Sequence, residues 1–200
     1  MNVLNLVERA PTQRGFTTIF SFNQKTEQIS QLTYQKNQIM DLITLCSARL
    51  FGGSISYKAG AMYFEYQNLA NEGDSPTPPA FEKDDTVEYY TGLQYSADVD
   101  FIRVPILVSP SVVETDYGHL LTLYAVTPGE DEGFWGKPFD AVNNSAVYGG
   151  AVVATPAPST QSNDVVIARN YPTGAKVLKS AGEQICMVWN IEFLKPEGES

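Results

Sequence analysis

Histidine occurs once in this chain, at His119, and cysteine twice, at Cys46 and Cys186, far apart. A metal centre needs several such ligands at short, repeated spacings, and none is present. There is no Gly-x-Ser-x-Gly turn to carry a nucleophile and no glycine-rich phosphate loop. Lysine and arginine together number 13 and are scattered with no two adjacent, against a net charge of −10. A phosphate backbone needs basic residues gathered on one face. Direct nucleic-acid binding and adhesion to an anionic membrane are therefore excluded, and the acidity is read as a contribution to solubility. No apolar run has the length of a membrane span. At the N-terminus, Val3–Val7 is cut short by Glu8 before it can form the apolar core of a signal peptide. The expectation is folding in a cytosol, consistent with two lone cysteines that read as small core residues.

Charge is sparse, at 18% of residues, whereas the chain holds 11 Tyr and 10 Phe. A surface poor in charge and rich in neutral polar and aromatic groups suits contact with protein copies or sugars. Strands use the same aromatics, which accounts for much of the count.

From about residue 54 the chain reads as short strands parted by Pro/Gly-rich loops. The clearest strand is the last: Ile185, Met187, Trp189, Ile191 and Phe193 alternate with Cys186, Val188, Asn190, Glu192 and Leu194. That period of two predicts one core face and one wetter face. Gly15–Phe22 reads as a strand, as do 61–67, 87–95, 101–108, 120–126, 146–154 and 164–170. Lys58-Ala59-Gly60 is expected to be a hairpin turn joining 54–57 to 61–67, and Pro105 marks an edge or a bulge. One helix is predicted over about 34–51, because Ile39, Leu42, Ile43, Cys46 and Leu50 recur at helical spacing and Gly52-Gly53 supplies a stop. The expected fold is mainly β: an antiparallel β-sandwich or jelly roll carrying that one helix. The expected organisation is an N-terminal arm over 1–15 and a single domain over 16–200.

The candidates for chemistry each have a plainer reading. Glu65, Glu88 and Glu192 lie in strand patterns. Two carboxylates on a concave sheet are a glycosidase arrangement, and solvent-facing strand residues are the plainer account. His119 follows Asp116, so a carboxylate could orient it as a general base, but no nucleophile motif accompanies it. Asp98-Val99-Asp100 offers oxygen ligands to calcium without a recognised loop spacing. Asp84-Asp85 and Glu130-Asp131-Glu132 read as solvated turns. No catalytic residue, metal ligand or cofactor site is assigned, and the protein is read as not an enzyme. The contact candidates are Phe134, Trp135, Lys137 and Phe139, aromatic residues and a lysine set among glycines and proline, with Phe16 and Phe20 of the first strand.

Several features occur together: a short arm, an early helix ending in Ala48-Arg49-Leu50-Phe51, and a β-rich body. The segment from Trp135-Gly136-Lys137-Pro138-Phe139 to Asn144-Ser145-Ala146-Val147-Tyr148-Gly149 and the final amphipathic strand complete the set. In style the chain resembles structural proteins of tailed-bacteriophage virions. The resemblance implies a capsid decoration, head-fibre, neck or tail component, made in the host cytoplasm and residing in the virion. Its partners would be copies of itself and other virion proteins. The alternative is a carbohydrate-binding or receptor-binding jelly roll recognising a host-surface glycan, with Trp135, Tyr89, Tyr90 and Tyr66 lining a groove beside Glu65 or Glu88, and, as a further variant, cleaving it.

Overall fold

The computed structural model describes residues 13–23, 25–39, 43, 58–68, 100–106, 110–127, 145–155, 164–170, 177–178 and 183–195. Among them are ten strands: β1 Gln13–Asn23, β2 Gln28–Ile39, β3 Lys58–Asn68, β4 Asp100–Pro105 and β5 Ser111–Thr115, then β6 Gly118–Val126, β7 Ser145–Thr155, β8 Val165–Asn170, β9 Val177–Leu178 and β10 Glu183–Leu194. They join in the order β4-β3-β7-β8-β2-β1-β10-β6-β5, with β9 on β7. Every described pairing is antiparallel.

Two blocks make up this order. One holds β4, β3, β7 and β8; the other holds β2, β1, β10, β6 and β5. Among the described residues three strand pairs, Asn37 to Ile39 against Ala168 to Asn170, stitch them together. In the second block β1 and β10 run side by side over their length, from Gln13 opposite Phe193 to Asn23 opposite Glu183. Inward-pointing Ile19, Leu123, Ile185, Met187, Trp189 and Ile191 share one apolar core with Met62, Phe64, Val104, Val152 and Ala168 of the first block. The period of two in β10 thus sets its core face as its sequence predicts. The inner face of β1 is less apolar: Thr17 Oγ1 and Ser21 Oγ are buried without a protein hydrogen-bond partner, as is Nε1 of Trp189, the residue opposite Thr17.

The first block differs in that both of its faces are covered. Ala61–Glu65 of β3 and Ala151–Thr155 of β7 are buried without alternation. One face of these strands feeds the core. The other carries Tyr63, Glu65, Arg103 and Arg169, all buried.

The helix expected over 34–51 is not seen. Residues 34–39 belong to β2, and of the remainder only Ile43 is described, with a helical backbone and a place in the core. Of the apolar spacing only Ile39 falls in this strand, and Leu42, Cys46 and Leu50 lie outside the described residues. A tight connection returns β2 onto β1, where Asn23 Oδ1 accepts from the backbone N–H groups of Lys25 and Thr26 at 2.9 and 3.2 Å. Glu27 then turns through φ 55°, in the left-handed region. Once that turn is set, pairing from Asn23–Gln28 to Gly15–Asn37 outweighs local helical preference.

The expected turn at Lys58–Gly60 is also corrected, since these residues are the start of β3, paired to β7 with an irregularity between Ala59 and Ala61. A glycine in a strand pattern marks such a bulge as readily as a turn. Pro105 ends β4, which lies at one edge of the sheet. The strand begins at Gln13, so Gln13–Gly15, assigned to the arm, pair with Ile191–Phe193. Strands β5 and β9 were not expected.

Candidate functional site

Two regions of the sheet stand apart from ordinary core. The first is the buried polar face of β3, β4 and β8. Asp164, immediately before β8, is gripped by Arg103 of β4 in a two-pronged contact, Nε to Oδ2 at 2.7 Å and Nη2 to Oδ1 at 3.0 Å. Tyr63 of β3 donates its hydroxyl to the same Oδ2 at 3.0 Å. Alongside, Arg169 of β8 reaches Glu65 of β3, with Nε and Nη2 at 3.1 and 3.0 Å from Oε1. Strand β7 lies between them, and its residues opposite Tyr63 and Glu65 are Ala151 and Gly149. Such small residues leave room for a guanidinium to pass over the strand. All four charged side chains are at most 3% exposed. Planar bidentate pairing of this kind fixes geometry strongly, and it leaves these carboxylates engaged with arginine and shut away from solvent.

That placement bears on the sugar-cleaving reading. Glu65 is only 2% exposed and bound to Arg169, so a glycan has no path to it. Glu192 lies on the face opposite the core, as its alternation predicts, and pairs with Arg14. Arg14 is held protonated more firmly than usual by its hydrogen bond to Glu192. His119 is exposed on β6, opposite Glu114 and Phe193, and Asp116 sits in the exposed turn before it. Glu88, Asp98, the clusters at 84–85 and 130–132, and Tyr89 and Tyr90 lie outside the described residues. So do Phe134, Trp135, Lys137 and Phe139. Among the described residues no three His, Cys, Asp or Glu side chains gather where they could hold a metal ion, and no helix is long and apolar enough to cross a membrane.

The second region is the outward face of the other block. Register aligns its side chains in rows. Leu32, Phe20, Cys186 and Val126 form one; Tyr34, Thr18, Val188 and Tyr124 form the next. Lys36, Phe16, Asn190, Thr122 and Ser111 follow, then Arg14, Glu192, Leu120 and Val113. Leu32 and Tyr34 are 61% and 59% exposed. Phe16 and Phe20, singled out from sequence as contact residues, lie here half-buried. Phe16 stacks on Tyr34 across the strands, ring centres 5.6 Å apart and planes 15° from parallel. Charge on this face is sparse: Arg14 and Glu192 neutralise each other, and Lys36 is the one further charge in these rows. Helical reading of residue 34 onward hid Tyr34, and nothing in its sequence marked Leu32 as surface.

Cys186 shares this face but is covered, and burial pushes its thiol from the ordinary value near 9.0 up to about 11. At pH 8 its thiolate fraction is then about one in a thousand. In a Cys46→Ser variant, iodoacetamide is expected to label Cys186 about two orders of magnitude more slowly in the folded than in the urea-unfolded chain. Similar rates would contradict the burial. Because folding favours the protonated thiol, its share of stability is intact below about pH 9 and is lost as pH rises through about 11.

Comparison with protein-family models, with curated proteins and with solved structures gives no match.

Proposed function

We propose that this protein is a non-enzymatic structural component that works by protein–protein assembly, of the kind found in tailed-bacteriophage virions. The supporting observation is the outward face of β2-β1-β10-β6. It spans about 15 Å across its four strands at ~4.8 Å spacing and about 20 Å along them at ~3.4 Å per residue. Within it Leu32, Phe20, Tyr34, Val188, Tyr124 and Phe16 adjoin one another, a connected apolar and aromatic cluster rather than scattered exposed residues. Net charge of −10 on the whole chain keeps copies soluble and apart, while this nearly neutral face lets them meet.

Support for a sandwich, the finer form of the fold, comes from the inward side chains of both blocks entering one core, as two packed layers would require. Assembly from a neutral sheet face needs no catalytic group, and the buried arginine–carboxylate pairs serve to hold the first block rigid behind it.

Light scattering across a concentration series tests the reading. The protein is expected at a multiple of its 22.0 kDa mass. Leu32→Asp with Tyr34→Asp places two carboxylates on the face and is expected to return the mass to that of one chain that still unfolds cooperatively, at a midpoint lowered by the lost assembly and the lost Phe16 stack. A wild-type protein that stays monomeric at every concentration would overturn self-assembly.

A further inference from the structure

The two edges of the sheet are treated differently. At β4 the described side chains Arg103 and Val104 are buried and Pro105 ends the strand. At β5 the residues Ser111, Val112, Val113 and Glu114 are all exposed. Val112 is 63% and Val113 54% exposed, and neighbouring residues of a strand point to opposite faces. Neither face of β5 is covered.

Backbone direction in β5 follows from its neighbour. On β6 and its flanks the odd-numbered residues turn toward β10: Tyr117 O accepts from Lys195 N at 2.7 Å, and Thr127 N donates to Ile185 O at 2.9 Å. The even residues Gly118, Leu120 and Thr122 therefore bond to Thr115, Val113 and Ser111 of β5, their register partners. The N–H and C=O groups of Val112 and Glu114 are left pointing off the sheet. Such an edge is a template for another strand.

We propose that this edge pairs antiparallel with the same edge of a second copy, about a two-fold axis at Val113. This deepens the assembly reading by naming the partner and the register, and it rests on that reading. Two outward residues spaced two apart are self-complementary under such an axis. Val112 meets the partner's Glu114 in a hydrogen-bonded pair, and Glu114 meets the partner's Val112, giving four backbone hydrogen bonds. Val113 meets the partner's Val113 in the closer, non-bonded pair, Cα atoms about 4.5 Å apart. Charge selects this register. Glu114 is the one charged residue of β5, and Lys195 Nζ stands 3.5 Å from its carboxylate. The two-fold at Val113 sets each glutamate against a valine, whereas an axis at Glu114 would set like charges directly opposite. Val113 also lies in the row of Leu120 on the outward face, so pairing extends that face from one copy into the next. The edge alone buries less than the roughly 800 Å² per partner of a stable complex. It acts as one of several contacts in a symmetric assembly.

Disulfide trapping tests the register. In a chain with Cys46→Ser and Cys186→Ala, Val113→Cys is expected to cross-link into a dimer under mild oxidation at least about tenfold faster than Ser111→Cys. The latter cysteines would lie about 14 Å apart under the same axis, beyond disulfide reach. Adding Val112→Pro removes an outward N–H without touching the ladder to β6, and is expected to suppress the Val113→Cys dimer. No dimer, or equal rates at 113 and 111, would overturn the proposal. An assembled mass with no cross-link would sink the edge and leave the assembly reading standing. A cross-link that persists in Leu32→Asp/Tyr34→Asp protein left otherwise monomeric would support the edge while separating it from the outward face.

Discussion

Replacing Asp164 by alanine is expected to destabilise the protein by about 3–5 kcal/mol. Asp164 accepts from Arg103 Nε and Nη2 and from Tyr63 Oη, and the Arg103 side chain is 3% exposed. Without the carboxylate the buried guanidinium loses this two-pronged contact, and the tyrosine hydroxyl loses this hydrogen bond in the same step. The cost comes from taking a carboxylate away from a buried cation rather than from the intrinsic worth of the pair, because taking two charges out of water consumes most of what their attraction returns. Arg103→Met combined with Asp164→Leu is therefore expected to recover most of the loss and to end within about 1–2 kcal/mol of wild type, because the Tyr63 hydroxyl still lacks this acceptor. Guanidinium chloride unfolding measures both, with the midpoint read at constant slope. A loss below about 1 kcal/mol for Asp164→Ala would mean that water reaches the pair. The outward face is made by the other block, so the double variant is expected to keep the assembled mass. A parallel loss of mass would show that the first block shapes the contact surface directly.

Legibility from sequence varied with how local the deciding interaction is. Strand β10 was readable because one of its faces is core and the other is not, which writes a period of two into the residues themselves. Strand β5 was not, since a strand covered on neither face has no alternation to show: Ser-Val-Val-Glu-Thr carries no burial signal. Strand β2 was misread where an apolar spacing near Ile39 suggested a helix, although the Asn23 turn and pairing with β1 decide the matter from outside the segment. The buried pairs join residues 61 and 104 positions apart, a separation that no single-sequence pattern encodes. Their one visible sign was placement. Glu65, Arg103 and Arg169 are charges embedded in apolar strand runs, and such a charge inside a two-sided strand must find a partner. Phe16 and Phe20 were named from sequence as contact candidates and stand half-buried on the outward face, while Leu32 and Tyr34 beside them come from the misread strand.

The second large effect is expected at two glycines where strands approach too closely for a side chain. At Gly150 of β7 a Cβ would lie 1.8 Å from the carbonyl oxygen of Tyr63, and at Gly118 one would lie 1.9 Å from that of Phe193. Both obstacles are backbone, so no rotamer change relieves them, and a ladder must open by more than an ångström. Gly118 adds a φ of +156° that an L-residue rarely adopts. Alanine at either site is expected to cost about 3 kcal/mol or more. The two differ in reach. Gly150 sits inside the first block, opposite Phe64, next to the residue whose hydroxyl binds Asp164; opening that ladder disturbs core and ion pairs together, so Gly150→Ala is expected to unfold the protein globally. Gly118 closes the β5–β6 turn at the sheet's edge, where opening loosens few other contacts. Hydrogen exchange is expected to show Gly118→Ala losing protection in β5, the start of β6 and the facing Phe193–Leu194 end of β10, while β1 and the rest of β10 keep theirs. Because the β5 edge would no longer be held in register, Gly118→Ala should also slow the Val113→Cys cross-link. A fast cross-link in a frayed β5 would argue that cysteine collision, rather than strand pairing, makes the bond.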